Sequence, residues 1–316
     1  MSLRITLPTQ VLETPHRRAG AFRRHPAERR ATAEQRAVGF DYPVQVVGTT
    51  PDGKLTVLYD PSLGQPGATL AQQIFSNAAQ TYADSQAFFN IPGQPVNVII
   101  APVNGATDGT GGAYHYGCNF VAGSDLYCDA AFGNPQLTTG LVVAELTECF
   151  MGLQNKGWDC GGSNGESLSR LLAELLSGGP NGALSAFATG PAWDKAGRPD
   201  WLDSTEPTDQ DAISIGCGMV YLYWMISKGF TPAQLTQAAC PAGTLASNYS
   251  ALTGSNTAWL DFSTAVSGLA GPITSDDPWG ALPPAPPPPP SQSTIVVNLD
   301  SKSVSLPAGW QATVGA

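Results

Sequence analysis

Three carboxylates stand where an apolar chain has no packing use for them. Glu145 and Glu148 interrupt the run Leu141, Val142, Leu146, Cys149, Phe150 and Leu153, and Glu166 follows in Asn164-Gly165-Glu166-Ser167-Leu168-Ser169. The apolar residues recur at three-to-four spacing, which predicts a helix with one buried face. Two carboxylates three apart on that helix are neighbours. Such a set can hold a divalent cation through oxygen, activate a water as general base, or divide acid and base work as in glycoside hydrolysis. An all-carboxylate set suits Mg, Ca or Mn better than Zn. His115, the one histidine outside the N-terminal region, is a candidate nitrogen donor and, with Tyr114, a candidate lining of the cleft.

The elements that must position these groups are legible in outline. Residues 55–59, 96–100, 112–116 and 125–129 read as strands, the third an edge strand, and residues 69–89 read as a helix. The carboxylate helix comes next, runs out near Gly152, and gives way through a glycine-rich connection to a second helix opening at Asn164. Further helices are expected over 213–226, from Pro232 with Thr231 as N-cap, and over 244–252 and 257–269.

Strand, helix, strand, edge strand, strand, helix is an order that resembles the zincin metallopeptidases, in the branch whose third ligand is a glutamate on a following helix. That family carries His-Glu-x-x-His, two zinc ligands at i and i+4 flanking a general base. On this chain the motif falls on Ala144-Glu145-Leu146-Thr147-Glu148. The resemblance implies Glu145 as general base and Glu148 and Glu166 as metal ligands, with Ala144 in place of the first histidine. It covers about residues 44–270 and implies an α+β, zincin-like body with a mixed upper lobe and a helical lower lobe. The expected cofactor is at most a weakly bound divalent metal.

Composition frames the rest. Charged residues make up 13% of the 316, low for a soluble protein. Residues 1–36 hold eight arginines against Glu13, Glu28 and Glu34, a net +5 that leaves −15 on the remainder of a chain whose total is −10. The expected organisation is a basic flexible arm over 1–40, a globular domain over 41–280, a polyproline linker over 281–292 and a C-terminal β-strand pair over 293–316. The arm suits an anionic surface. The strand pair is too small to fold alone and suits self-association or a protein partner. No segment approaches the roughly 18–20 apolar residues of a membrane span.

Six cysteines, Cys118, Cys128, Cys149, Cys160, Cys217 and Cys240, with no CxxC among them, favour disulfides. Sequence neighbours suggest 118–128, 149–160 and 217–240, and with them an extracellular or particle-associated setting. Two functional classes remain open. One is a catalytically impaired metallopeptidase-like protein acting in binding or assembly through its terminal extensions. The other is a hydrolase, metal-dependent or carboxylate-based, using Glu145 as base.

Overall fold

Alternation of apolar side chains along short segments builds a sheet with two unlike faces. In the computed structural model, which describes residues 40–103, 112–116, 124–208 and 210–281, five strands form it. They are β1 Gln45–Thr49, β2 Leu55–Tyr59, β3 Val96–Ala101, β4 Ala113–Tyr114 and β5 Ser124–Asp129, in the order β1-β2-β3-β5-β4. β2, β3 and β5 are parallel, whereas β1 and β4 run antiparallel to their neighbours at the two edges. The central strands are buried on both faces, the expected setting of parallel strands. Leu55, Val57, Val98, Ile100, Leu126 and Cys128 belong to the main core. The alternate residues Leu58, Ile99, Ala101, Tyr114 and Tyr127 form a separate cluster on the outer face, packed by Tyr42, Val44 and Tyr116.

Among the described residues there are eight α-helices: α1 Gly64–Phe89, α2 Pro135–Gln154, α3 Ser163–Leu176, α4 Gly190–Lys195, α5 Ala212–Ser227, α6 Pro232–Ala238, α7 Leu245–Thr253 and α8 Ala258–Ser267. The architecture is thus mixed α/β. α1 is the crossover between parallel β2 and β3 and buries Leu70, Ile74, Ala78, Tyr82 and Phe89. α2 starts at Pro135, where the Asn134 side chain accepts the Leu137 N–H at 3.2 Å, and stops at left-handed Asn155. Between those ends it is buried on every side, packed on β5, α1 and α3. The helical half closes on a ring cluster in which Trp193 stacks on Phe262 (centroids 5.6 Å apart) and Trp224 on Tyr249 (5.7 Å).

The α2–α3 connection has no room to spare. A Cβ on Gly165, in the first turn of α3, would lie 2.0 Å from the Asp159 carbonyl oxygen. Because that contact is with backbone, Gly165→Ala should push the 159–160 segment off α3 and lower stability by about 2–4 kcal/mol, read as a fall in the urea midpoint.

The expected cysteine framework is not formed. Cys128, Cys149, Cys217 and Cys240 are buried free thiols, so the pairings 118–128, 149–160 and 217–240 all fail. Cys128 sits on the core face of β5, Cys149 inside α2 and Cys217 inside α5, where each fills core volume as a small apolar group. Closeness in sequence did not bring their sulfurs together. No disulfide joins two described residues; Cys160 is disulfide-bonded, and Cys118 lies outside the described residues.

Two elements had no counterpart in the sequence reading. β1 is an exposed edge strand with a register shift between Val46 and Gly48, which breaks its alternation. α4 has only six residues. The basic arm, the proline-rich linker and the C-terminal strand pair lie outside the described residues, but for Phe40 and Ala281 at their inner ends. No helix among the described residues is long and apolar enough to cross a membrane.

Candidate functional site

A helix buried on all sides must give its carboxylates partners, because an isolated buried charge is strongly unfavourable. Glu145 is 1% exposed and Glu148 3%. Their partner comes from the sheet edge. Ala113 belongs to the main core, Tyr114 and Tyr116 pack on the outer face, and His115, between them, therefore points inward to α2. Its Nδ1 lies 2.7 Å from Glu145 Oε2 and 3.9 Å from Glu148 Oε2, with the ring 2% exposed. One imidazole thus faces two carboxylates that project from neighbouring positions of one helix. At 2.7 Å the Nδ1–Oε2 contact is a hydrogen bond with one shared proton.

The remaining expected site residues distribute unevenly. Glu166 is buried in the first turn of α3, where the free amides of the helix start favour a carboxylate. Tyr114 does not line the cluster; it stacks on Tyr127 on the far side of the sheet, 4.7 Å between centroids. All three expected carboxylates are buried, Glu145 and Glu166 at 1% exposure and Glu148 at 3%.

His115, Glu148 and Cys160 place potential ligand atoms within 4.8 Å of one another, a group that does not include Glu166. The donor chemistry does not fit zinc. Cys160 is disulfide-bonded and offers no thiolate, and Ala144, at the position of the first ligand, has no donor. Cys128, on the strand beside β4, stays a thiol: burial pushes its pKa up, and the Glu145 charge pushes the same way.

A second polar cluster escaped the sequence reading altogether. Glu174 near the end of α3 and Asp276 in the segment after α8 are both buried. The Tyr223 hydroxyl donates to Glu174 Oε2 at 2.6 Å. Asp276 Oδ1 accepts the backbone N–H groups of Thr189 at 2.8 Å and Gly190 at 2.5 Å, closing the start of α4. Burial raises the Glu174 pKa well above the usual carboxylate range, and the Asp276 charge adds to the rise. Burial raises the Asp276 pKa too, but its backbone donors oppose that, so the proton resides on Glu174. The cluster joins residues 102 positions apart, and no local motif announces it.

The fold and site define a mixed α/β protein with a histidine–carboxylate cluster sealed between an edge strand and a central helix. Compared with protein-family models, curated proteins and solved structures, the chain matches none.

Proposed function

We propose that the body is a zincin-like scaffold, with a mixed upper lobe and a helical lower lobe, that no longer performs metal-dependent hydrolysis and serves in binding or assembly. The observation that carries this is the 2.7 Å contact between His115 Nδ1 and Glu145 Oε2. The glutamate at the general-base position of the resemblance is engaged by a neighbouring side chain and sealed from water. Ala144, in place of the first ligand, is buried and inert. What is left to act is the surface and the two extensions. In sequence these are a basic arm of net +5 over 1–36 and a strand-forming tail beyond five consecutive prolines. The arm suits an anionic surface, and the tail suits addition to the sheet of a partner or a second copy.

The test compares assembly with metal chemistry. Size-exclusion with light scattering should show oligomers that are lost on removing residues 293–316. Elemental analysis should find no stoichiometric zinc, and casein should not be cleaved. Ala144→His with Glu148→His should raise zinc affinity by orders of magnitude, because the two positions are one helical turn apart. A monomer holding stoichiometric zinc, with peptidase activity abolished by Glu145→Gln, would overturn the proposal.

A further inference from the structure

The residues flanking His115 are tied to the point where the N-terminal arm joins the body. Tyr114 donates its hydroxyl to Asp41 Oδ2 at 2.9 Å, and Tyr116 donates to the same oxygen at 2.6 Å. Asp41 is fixed in turn by its own N–H, which donates to the Tyr127 hydroxyl at 3.0 Å. The rings build one aromatic layer: Tyr114 stacks on Tyr127 at 4.7 Å, Tyr116 meets Tyr114 edge-on at 6.0 Å, and Tyr42 lies 5.8 Å from Tyr127. Burial, and after it the hydrogen bonds to Asp41, hold the pKa values of Tyr114 and Tyr116 far above the usual phenol range, so both remain donors.

β4 is only two residues long and pairs with β5 at Ala113↔Cys128 and Tyr114↔Tyr127. So short an edge strand has little ladder of its own to fix its register. Side chains alternate between faces, so a slip of one residue would turn His115 outward and a tyrosine inward. One carboxylate oxygen that grips residues 114 and 116 from outside fixes the inward direction of residue 115.

We propose that Asp41 is the positioning residue for the His115–Glu145 pair: through Tyr114 and Tyr116 it holds the edge strand in the register that points His115 at α2. The end of the arm and the buried pair then form one cooperative unit, and displacement of residues 40–44 loosens the pair. This goes beyond the functional reading above and holds whether the pair is catalytic or structural.

The test uses the full chain with 15N-labelled histidine, assigning His115 by removing His16 and His25. At one pH and temperature, the proton shared by His115 Nδ1 and Glu145 Oε2 should give a downfield resonance that exchanges slowly with water. Asp41→Ala and the double variant Tyr114→Phe, Tyr116→Phe should each raise its exchange rate at least tenfold. Asp41→Asn, whose amide oxygen accepts the same two bonds, should stay within about threefold of the native rate. A global stability loss is separated by Phe262→Leu, a core change in the helical half, at a temperature giving the same distance from its melting midpoint. If Asp41→Ala fails to fold, Tyr116→Phe alone should still raise exchange by threefold or more. An unchanged resonance and rate in the folded variants, or a rise no greater than that of Phe262→Leu, overturns the proposal.

Discussion

Replacing His115 by alanine should cost about 3–5 kcal/mol of unfolding free energy, among the largest effects of any single substitution in this chain. The reason is asymmetry. A buried pair contributes little net stability against an apolar pair of equal shape, but removing one member leaves the other buried without compensation. His115 is 2% exposed and 2.7 Å from Glu145 Oε2, so its loss leaves the buried Glu145 carboxylate without this hydrogen bond beside an emptied site. The double variant His115→Ala, Glu145→Gln should recover a substantial part of the loss, because the neutral amide tolerates burial better than the carboxylate. Urea unfolding of the four members of this cycle measures the coupling directly. Additive single effects would show that the pair does not interact as a unit, and would remove the main support for an engaged, non-catalytic Glu145.

How much of this was legible in the sequence depends on the range of the signal. β2, β3 and β5 are apolar runs bounded by polar residues, so their spans could be read to within a residue. α2 and α3 carried helical periodicity, although α2 begins at Pro135, before the periodic stretch, because its first turn is set by Asn134 and Pro135. β1 was missed because it is largely exposed and its alternation is broken by the register shift at Val46/Gly48. Glu145, Glu148 and His115 stood out as polar groups with a reason to meet, but only tertiary structure brings residues 115 and 145 to hydrogen-bonding distance. Tyr114 was placed beside His115 in a cleft, whereas strand alternation sends adjacent residues to opposite faces. Cysteine pairing failed for a related reason. Spacing along the chain says nothing about whether two sulfurs occupy one layer of the core, and Cys149 is enclosed within α2. Asp41 and Asp276 carried no signal, since each acts on partners far along the chain.

Stability should fall as pH rises above about 4.5, and Glu174→Gln should abolish that part of the fall. Glu174 keeps its proton well above the usual carboxylate range when folded, through burial first and the Asp276 charge second. For an acid whose folded pKa is raised, the native state binds more protons than the unfolded state between the two values. Its contribution is therefore complete below the unfolded pKa and is lost as pH rises through the folded one, at up to about 1.4 kcal/mol per pH unit. Glutamine reproduces the protonated form: its carbonyl can accept the Tyr223 hydroxyl and its amide can donate to Asp276. The groups facing Glu174 include Arg170 of α3, Tyr223 of α5 and Asp276, of which only Arg170 favours ionisation by its charge. Glu174→Gln should match the native protein near pH 4.5 and exceed it by a growing margin toward neutral and alkaline pH, in urea midpoints measured at each pH. Asp276→Asn should be weaker throughout, because the Thr189 and Gly190 amides lose a charged acceptor at the start of α4. A native protein and a Glu174→Gln variant with parallel pH profiles would mean that Glu174 is ionised in the fold, and that Asp276 is held by its backbone donors alone.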